Sequence, residues 1–244
     1  MSAAGPPKPS TVPREASRRS VPLMRKMMID SLMRAQAATL PVTVTAEAPV
    51  GGLVAAHKRL REEMPGLTFG MLIAKLLIGV LRDHPFLNAA IVDGSLVEYS
   101  DVQLGCAVAL DDGELVVPVL HRAQEMSLPV LAEAMRGLIA RARSRKLVPA
   151  DVQGGTFALS NIGNVRSLAV PFTATPIIPP NQAGIILTGS IRPAPLVVDG
   201  SVTIADVMPI SFSFDHRIVN GVPALTAFGE FIRRLNDPED WFRE

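Results

Sequence analysis

A chain of 244 residues, 48% apolar and 19% charged, can bury a sizeable core, which excludes an intrinsically disordered protein. The net charge of +1 offers no basic stripe to nucleic acid or to an anionic membrane, so neither is expected as a partner. A single cysteine, Cys106, excludes an internal disulfide framework, and the N-terminus lacks an apolar signal core; a soluble, cytoplasmic protein is expected.

The first twenty residues, rich in Pro, Ser and Ala, read as a disordered tail, with too little apolar surface to offset ordering entropy. Residues 21–244 read as one folded unit. Val21 to Ala38 has the pattern of a Met-rich amphipathic helix, and "LPVTVTAEA" alternates as a strand. Two helical stretches follow, about 50–63 and 68–83, the first broken at "MPG" and the second ended by "HP". The second contains "MLIAKLLIGVL", too short for a bilayer span and read as a core helix.

Hairpins dominate the middle of the chain. Asn88 to Val92 and Leu96 to Tyr99 bracket an Asp-Gly turn; "QLGCAVAL" and "LVVPVL" flank a second, in "DDGE". Cys106 lies in a buried-strand pattern, which makes it a small core residue rather than a nucleophile. Ser127 to Lys146 is a helix with Ser127 as its cap. "GGTFALSNIG" is a strand entering a turn, and "QAGIILTGSI" a fully apolar strand. "LVVDGSVTI" is a third Asp-Gly hairpin, and "VMPISFSF" a half-buried strand in which Phe212 and Phe214 alternate with Ser211 and Ser213. A helix from about Pro223 to Leu235 and a polar tail end the chain. Without regular strand–helix alternation, the pattern predicts an α/β (α+β) sandwich: a mixed, mainly antiparallel sheet with flanking helices. There is no P-loop, no dinucleotide fingerprint and no Cys/His metal spacing, so no metal is expected.

The last strand ends on Asp215, His216 and Arg217, and three such groups together are costly to bury unless they pair or react. Of the four histidines, His57 sits on a charged helix face and reads as solvated, His84 as a helix cap, and His121 as a surface residue beside Arg122. Only His216 follows a buried strand, with Gly221 five residues on to permit a tight turn. It is the candidate general base.

"DHRIVNG" resembles the D-H-R-x-x-[DN]-G signature of the catalytic domain of dihydrolipoamide acyltransferases, the cores of 2-oxo acid dehydrogenase complexes. "HPFLNAAI", the long block from "LVVPVL" to "GGTFALSNIG", and "TPIIPPNQAGIILTGSIRPAPLV" are similar to further family segments, in family order, and the likeness covers about Val21 to Pro238. It implies a chloramphenicol-acetyltransferase-like fold working as a homotrimer. The site would lie between subunits, in a channel entered by coenzyme A from one side and lipoamide from the other. His216 would be the general base that deprotonates a thiol, Ser160 would stabilise the oxyanion, and Asn220 would hold the loop. Asn161 and Ser190 match positions lining the coenzyme A site. Asp215, Arg217 and Gly221 would support the site structurally. A lipoyl group would be supplied in trans, and a lipoyl-domain protein and 2-oxo acid decarboxylase subunits are the implied partners.

The sequence departs from the family at several places. Within these 244 residues no lipoyl domain or peripheral-subunit-binding domain is expected ahead of the catalytic domain. Val42 replaces a histidine, and Pro49 replaces an aspartate near the next helix. The loop Asn164 to Ala174 is about four residues longer than usual. The tail carries Trp241 and Phe242 among Glu239, Asp240, Arg243 and Glu244, which argues against assembly beyond the trimer. Three functions stay open: transfer between coenzyme A and a dihydrolipoyl group, a stand-alone coenzyme A-dependent acyltransferase acting on a small molecule or carrier protein, and a non-catalytic trimeric scaffold.

Overall fold

A computed structural model describes residues 15–111, 113–163, 172–198 and 200–242. Its spine is β11 (Ser201–Asp215), antiparallel to β1 (Pro41–Pro49) on one side and to β9 (Gly184–Thr188) on the other. The sheet continues through β8 (Phe157–Asn161), β4 (Leu104–Cys106) and β7 (Val119–Leu120), with β8 parallel to both β9 and β4. β10 (Arg192–Val198) pairs with the first half of β11. Two small ladders stand apart: β2 (Ala89–Val92) with β3 (Ser95–Glu98), and β5 (Val108–Ala109) with β6 (Leu115–Val116).

The helices α2 (Gly51–Glu63), α3 (Phe69–Asp83), α4 (Leu128–Arg143) and α5 (Gly221–Asn236) belong to one continuous core, whereas α1 (Leu23–Ala37) leaves much of its surface exposed. α3 is the core helix its composition requires: nine of its residues are buried, and the Thr68 side chain accepts a hydrogen bond from the Met71 N–H as its N-cap. Lys75 is tolerated there because its Nζ donates to the Met126 carbonyl at 3.1 Å. Phe212 lies at the centre of an aromatic cluster, its ring centroid 5.3 Å from that of Phe214, 5.7 Å from Phe228 and 6.2 Å from Phe157. Gly184 is glycine because a Cβ there would stand 2.8 Å from the Ser213 carbonyl and 3.0 Å from the Phe212 ring.

The strand pattern differs from expectation in three places. "SVTI" and "VMPISFSF" form one uninterrupted strand, β11, because β10 and then β1 take up its hydrogen bonds in succession. Ser211 and Ser213 are fully buried rather than facing water, and the Ser213 Oγ lies 2.6 Å from the Thr43 Oγ1. The second Asp-Gly hairpin is divided into separate ladders, because β4 pairs with β8 as well as with β7. At the helix ends, Ser127 occupies the N-cap of α4 without a side-chain capping bond, and α5 begins two residues before Pro223. Cys106 is buried, and burial pushes its thiol up to about 12. The polar tail folds back on the chain: Arg59 pairs with Glu239 at 2.6 Å, and the buried Arg234 guanidinium stacks 3.5 Å over the Trp241 ring. No helix among the described residues is long and apolar enough to cross a membrane.

Candidate active site

His216 is held by its backbone. Its N–H donates to the Leu40 carbonyl at 2.8 Å, and the Leu40 N–H donates back to Asp215 Oδ1 at 3.1 Å, so the strand end is clamped to the start of β1. Asp215 is buried and accepts from the Arg217 N–H at 3.0 Å, from Arg217 Nε at 3.1 Å and from Arg217 Nη2 at 2.7 Å. Burial pushes this carboxyl up, but the Arg217 hydrogen bonds and the Leu40 N–H outweigh it and hold the group below the ordinary carboxylate range. The three adjacent ionisable groups thus divide between an ion pair, with its carboxylate buried and its guanidinium toward solvent, and a projecting imidazole. The imidazole is exposed, with its ring centroid 5.8 Å from that of Phe214.

Asn220 takes the N-cap position of α5, but its amide caps nothing, and the residue is exposed. Gly221 does not make the expected tight turn. It is the first residue of α5, has no positive φ, and a Cβ built on it meets nothing within 4 Å. Of the other histidines, His57 differs from expectation and His84 does not. His57 is partly buried, stacked 4.1 Å from the Phe69 centroid with Nε2 3.0 Å from the Leu67 carbonyl. His84 is the C-cap of α3, as read, and also bonds Glu230 Oε2 at 2.8 Å.

Ser160 lies near the end of β8, on the other face of the sheet. Strand register sets it in one row with Leu187, Ser211 and Thr45, while Leu159, Ile186, Phe212 and Val44 form the neighbouring helix-side row. Its hydroxyl lines a cavity of about 1000 Å³ between this open face and α1, walled by residues that include Met28, Leu32, Tyr99 and Gln182. Asn161 alternates to the helix side, where its Oδ1 accepts the Gly163 N–H at 2.9 Å. The Ser190 Oγ donates to the Gly163 carbonyl at 3.4 Å, so Asn161 and Ser190 brace the same turn.

Ser160 and His216 do not meet in one chain. Leu187 faces Ser160, Gly184 faces Phe214, and the Asp215 N–H reaches the Ala183 carbonyl, which sets His216 level with Gln182. Five residues along β9 and two strand spacings separate them, roughly 19 Å at about 3.3 Å per residue and ~4.8 Å per strand. They also stand on opposite faces, since His216 follows the parity of Phe214.

One organising residue carried no role in the sequence reading. Asn88 is buried: its Nδ2 donates to the Tyr99 and Asp101 carbonyls at 2.8 and 2.9 Å, and its Oδ1 accepts from Thr156 Oγ1 at 2.5 Å. It fixes the Tyr99–Asp101 wall of the cavity. The signal was an asparagine inside the apolar run "FLNAAI", a polar group that must find partners if buried.

Residues 13–243 match the family described as 2-oxoacid dehydrogenases acyltransferase (catalytic domain). The chain is 38% identical over 193 residues to the dihydrolipoyllysine-residue succinyltransferase component of the 2-oxoglutarate dehydrogenase complex of Bartonella vinsonii, covering 78% of this chain and 46% of that protein. It is 36% identical over 177 residues to the acetyltransferase component of the pyruvate dehydrogenase complex of Corynebacterium glutamicum, covering 70% and 25% respectively. The chain thus spans less than half the length of these two relatives. Among solved structures it resembles the dihydrolipoamide acetyltransferase of Azotobacter vinelandii (TM-score 0.82, 28% identity, 95% and 99% of the two chains). That structure comes from crystallographic and enzymatic work on the role of a serine, a histidine and an asparagine in the catalytic mechanism. A chloramphenicol acetyltransferase, 16% identical with a TM-score of 0.54, shares the fold.

Proposed function

The chain belongs to the 2-oxoacid dehydrogenase acyltransferase family, and from that membership we propose that it moves an acyl group between coenzyme A and a dihydrolipoyl group. His216 is the general base: its unprotonated ring nitrogen takes the proton of the attacking thiol, because a free thiol is mostly protonated at neutral pH. The new thiolate adds to the thioester carbonyl carbon, and the carbonyl π pair moves onto oxygen. The Ser160 hydroxyl donates a hydrogen bond to that oxyanion. Collapse re-forms the carbonyl, breaks the old carbon–sulfur bond and releases a thiolate, which takes the proton back from the imidazolium. Asn220 stands at the end of the loop that follows His216, where α5 begins.

The separation of Ser160 from His216 carries the reading of a shared site. An exposed imidazole and a serine in an open cavity, on opposite faces and roughly 19 Å apart by strand geometry, can act together only if each site takes one from each of two copies. A homotrimer supplies three such sites by symmetry. The cavity beside Ser160 is roomy enough for a flexible thiol arm. The lipoyl group then arrives in trans on a lipoyl-domain protein.

Thioester exchange with a panel of acyl-coenzyme A donors and dihydrolipoamide tests this. Transfer to dihydrolipoamide is expected. Coenzyme A binding without that transfer would move the acceptor to a small molecule or a carrier protein. Absence of both would leave a non-catalytic trimeric scaffold.

A further inference from the structure

The Ser160 cavity extends away from Asn161 and Ser190. Neither of those residues lines it, and both spend a polar atom on Gly163. In the other direction it shares Ser31, Pro180, Asn181 and Gln182 with a second cavity of about 430 Å³. That second cavity is walled by Arg34 from α1 and by Asp215 and Arg217 at the end of β11. Three groups there have bonding capacity to spare. Arg34 is exposed and forms no ion pair among the described residues. Arg217 holds Asp215 through Nε and Nη2, and its Nη1 makes no hydrogen bond among the described residues. Gln182 is only 7% exposed, and its Oε1 is buried without a donor among the described residues. Its amide is held over Gly155, where a Cβ would stand 2.8 Å from Nε2. A buried amide oxygen without a donor needs a partner from outside the chain.

We propose that Arg34, Arg217 and Gln182 hold the phosphate end of a phosphopantetheine thiol whose sulfur lies at Ser160. The proposal rests on the acyl-transfer reading above. Length supplies the first argument. Leu187 faces Ser160 and Gln182 lies five residues before it, roughly 16 Å at about 3.3 Å per residue. A phosphopantetheine arm has about thirteen bonds from sulfur to phosphorus, roughly 16 Å when extended at about 1.2 Å per bond. Charge supplies the second. Asp215 offsets the charge of Arg217, and Arg34 leaves one positive charge to meet an anion. A guanidinium suits phosphate, because its planar N–H groups match the oxygens and it stays charged. The hydroxyl and outer amide of the arm, close to the phosphate, are the donors that Gln182 Oε1 lacks. A lipoyl arm has an amide but no anion, so this end of the cavity distinguishes the two thiols. The arm is shared by coenzyme A and by carrier proteins that bear it.

The test compares phosphopantetheine with pantetheine, which lacks only the phosphate, as acceptors of an acyl group from S-acyl dihydrolipoamide. The parent should favour the phosphorylated thiol by at least about tenfold, in KM rather than kcat, because the phosphate is bound alike before and during reaction. Arg34→Gln should remove that preference, raising KM for phosphopantetheine by about tenfold and leaving pantetheine unchanged. The fold should survive, since Arg34 is exposed. Gln182→Leu should weaken both thiols alike, because both keep the hydroxyl and the amides. Calorimetric binding of phosphopantetheine to the parent and to Arg34→Gln repeats the comparison without catalysis. Binding that depends on Arg34 without any exchange would overturn the transfer reading and leave this site standing. Exchange in which the phosphate makes no difference, or in which Arg34→Gln weakens both thiols equally, would overturn the site. Coenzyme A and a carrier protein bearing the same arm are then compared. The one whose turnover falls in Arg34→Gln is the source of the arm, and a fall for neither would overturn the proposal.

Discussion

The two faces of the sheet are built to opposite rules. On the helix side, Phe157, Ile186, Phe212 and Phe214 meet α3 and α5 in a continuous core with little exposed surface. On the other side, Ala158, Ser160, Ser211 and Ser213 present short side chains, and at β8 and β9, where Ala158 and Ser160 stand beside Ile185 and Leu187, this face opens onto a cavity of about 1000 Å³. The first face is finished within one chain. The second is not, and Ser160, the proposed oxyanion donor, lies there. Packing is thus concentrated on one side and the Ser160 cavity on the other, with His216 projecting from the strand end, and substitutions should separate stability from turnover.

The largest effect is expected from His216→Ala: loss of at least about three orders of magnitude in turnover, with folding retained, because the side chain is exposed and is the proposed general base. Steady-state exchange and a melting curve check both halves. Phe212→Ala should do the reverse, costing about 3–5 kcal/mol of stability through the cavity left in the aromatic cluster. Denaturant titration measures it, and a smaller loss would mean the helix side is less tightly packed than its burial indicates. Ser160→Ala should lower kcat by about two to three orders of magnitude with donor affinity nearly unchanged.

Asp215→Asn should be felt in the pH dependence of stability. The folded carboxyl titrates below its unfolded value of about 3.9, so its contribution is present above that pH and lost as pH falls through the folded value. The variant should show a flatter acid limb in a series of melting curves; an unchanged limb would mean that Arg217 does not hold the charge. The smallest effect belongs to Asn220→Asp, expected within about twofold of the parent, since the amide makes no capping bond in one chain.

The helix side was legible in the sequence because it is a local pattern. The apolar run of α3, the alternation of Phe212 with Phe214, and the Asp-Gly turn between β2 and β3 follow from periodicity and turn chemistry. The open side was not. The alternation of Ser211 with Ser213 reads as a water-facing row, yet both are buried, because cover by distant segments leaves no local trace. The pairing of Asp215 with Arg217 was legible from adjacency, whereas the reach of Asp215 to Leu40 depends on strand register. Gly221 shows the opposite failure. A glycine near a candidate catalytic residue suggests a turn, but the backbone there is ordinary helix. The lengthened loop falls largely at 164–171, outside the described residues.

The shared site is tested most directly by mixing two disabled parents. His216→Ala and Ser160→Ala chains, unfolded together in equal amounts and refolded, should give sites that draw serine and histidine from different copies at random. About a quarter of those sites would be intact if each takes one residue from each of two copies, so activity should rise to about a quarter of the unsubstituted protein. Activity that stays at the average of the two parents would contradict the account, because serine and histidine would then have to act from the same chain.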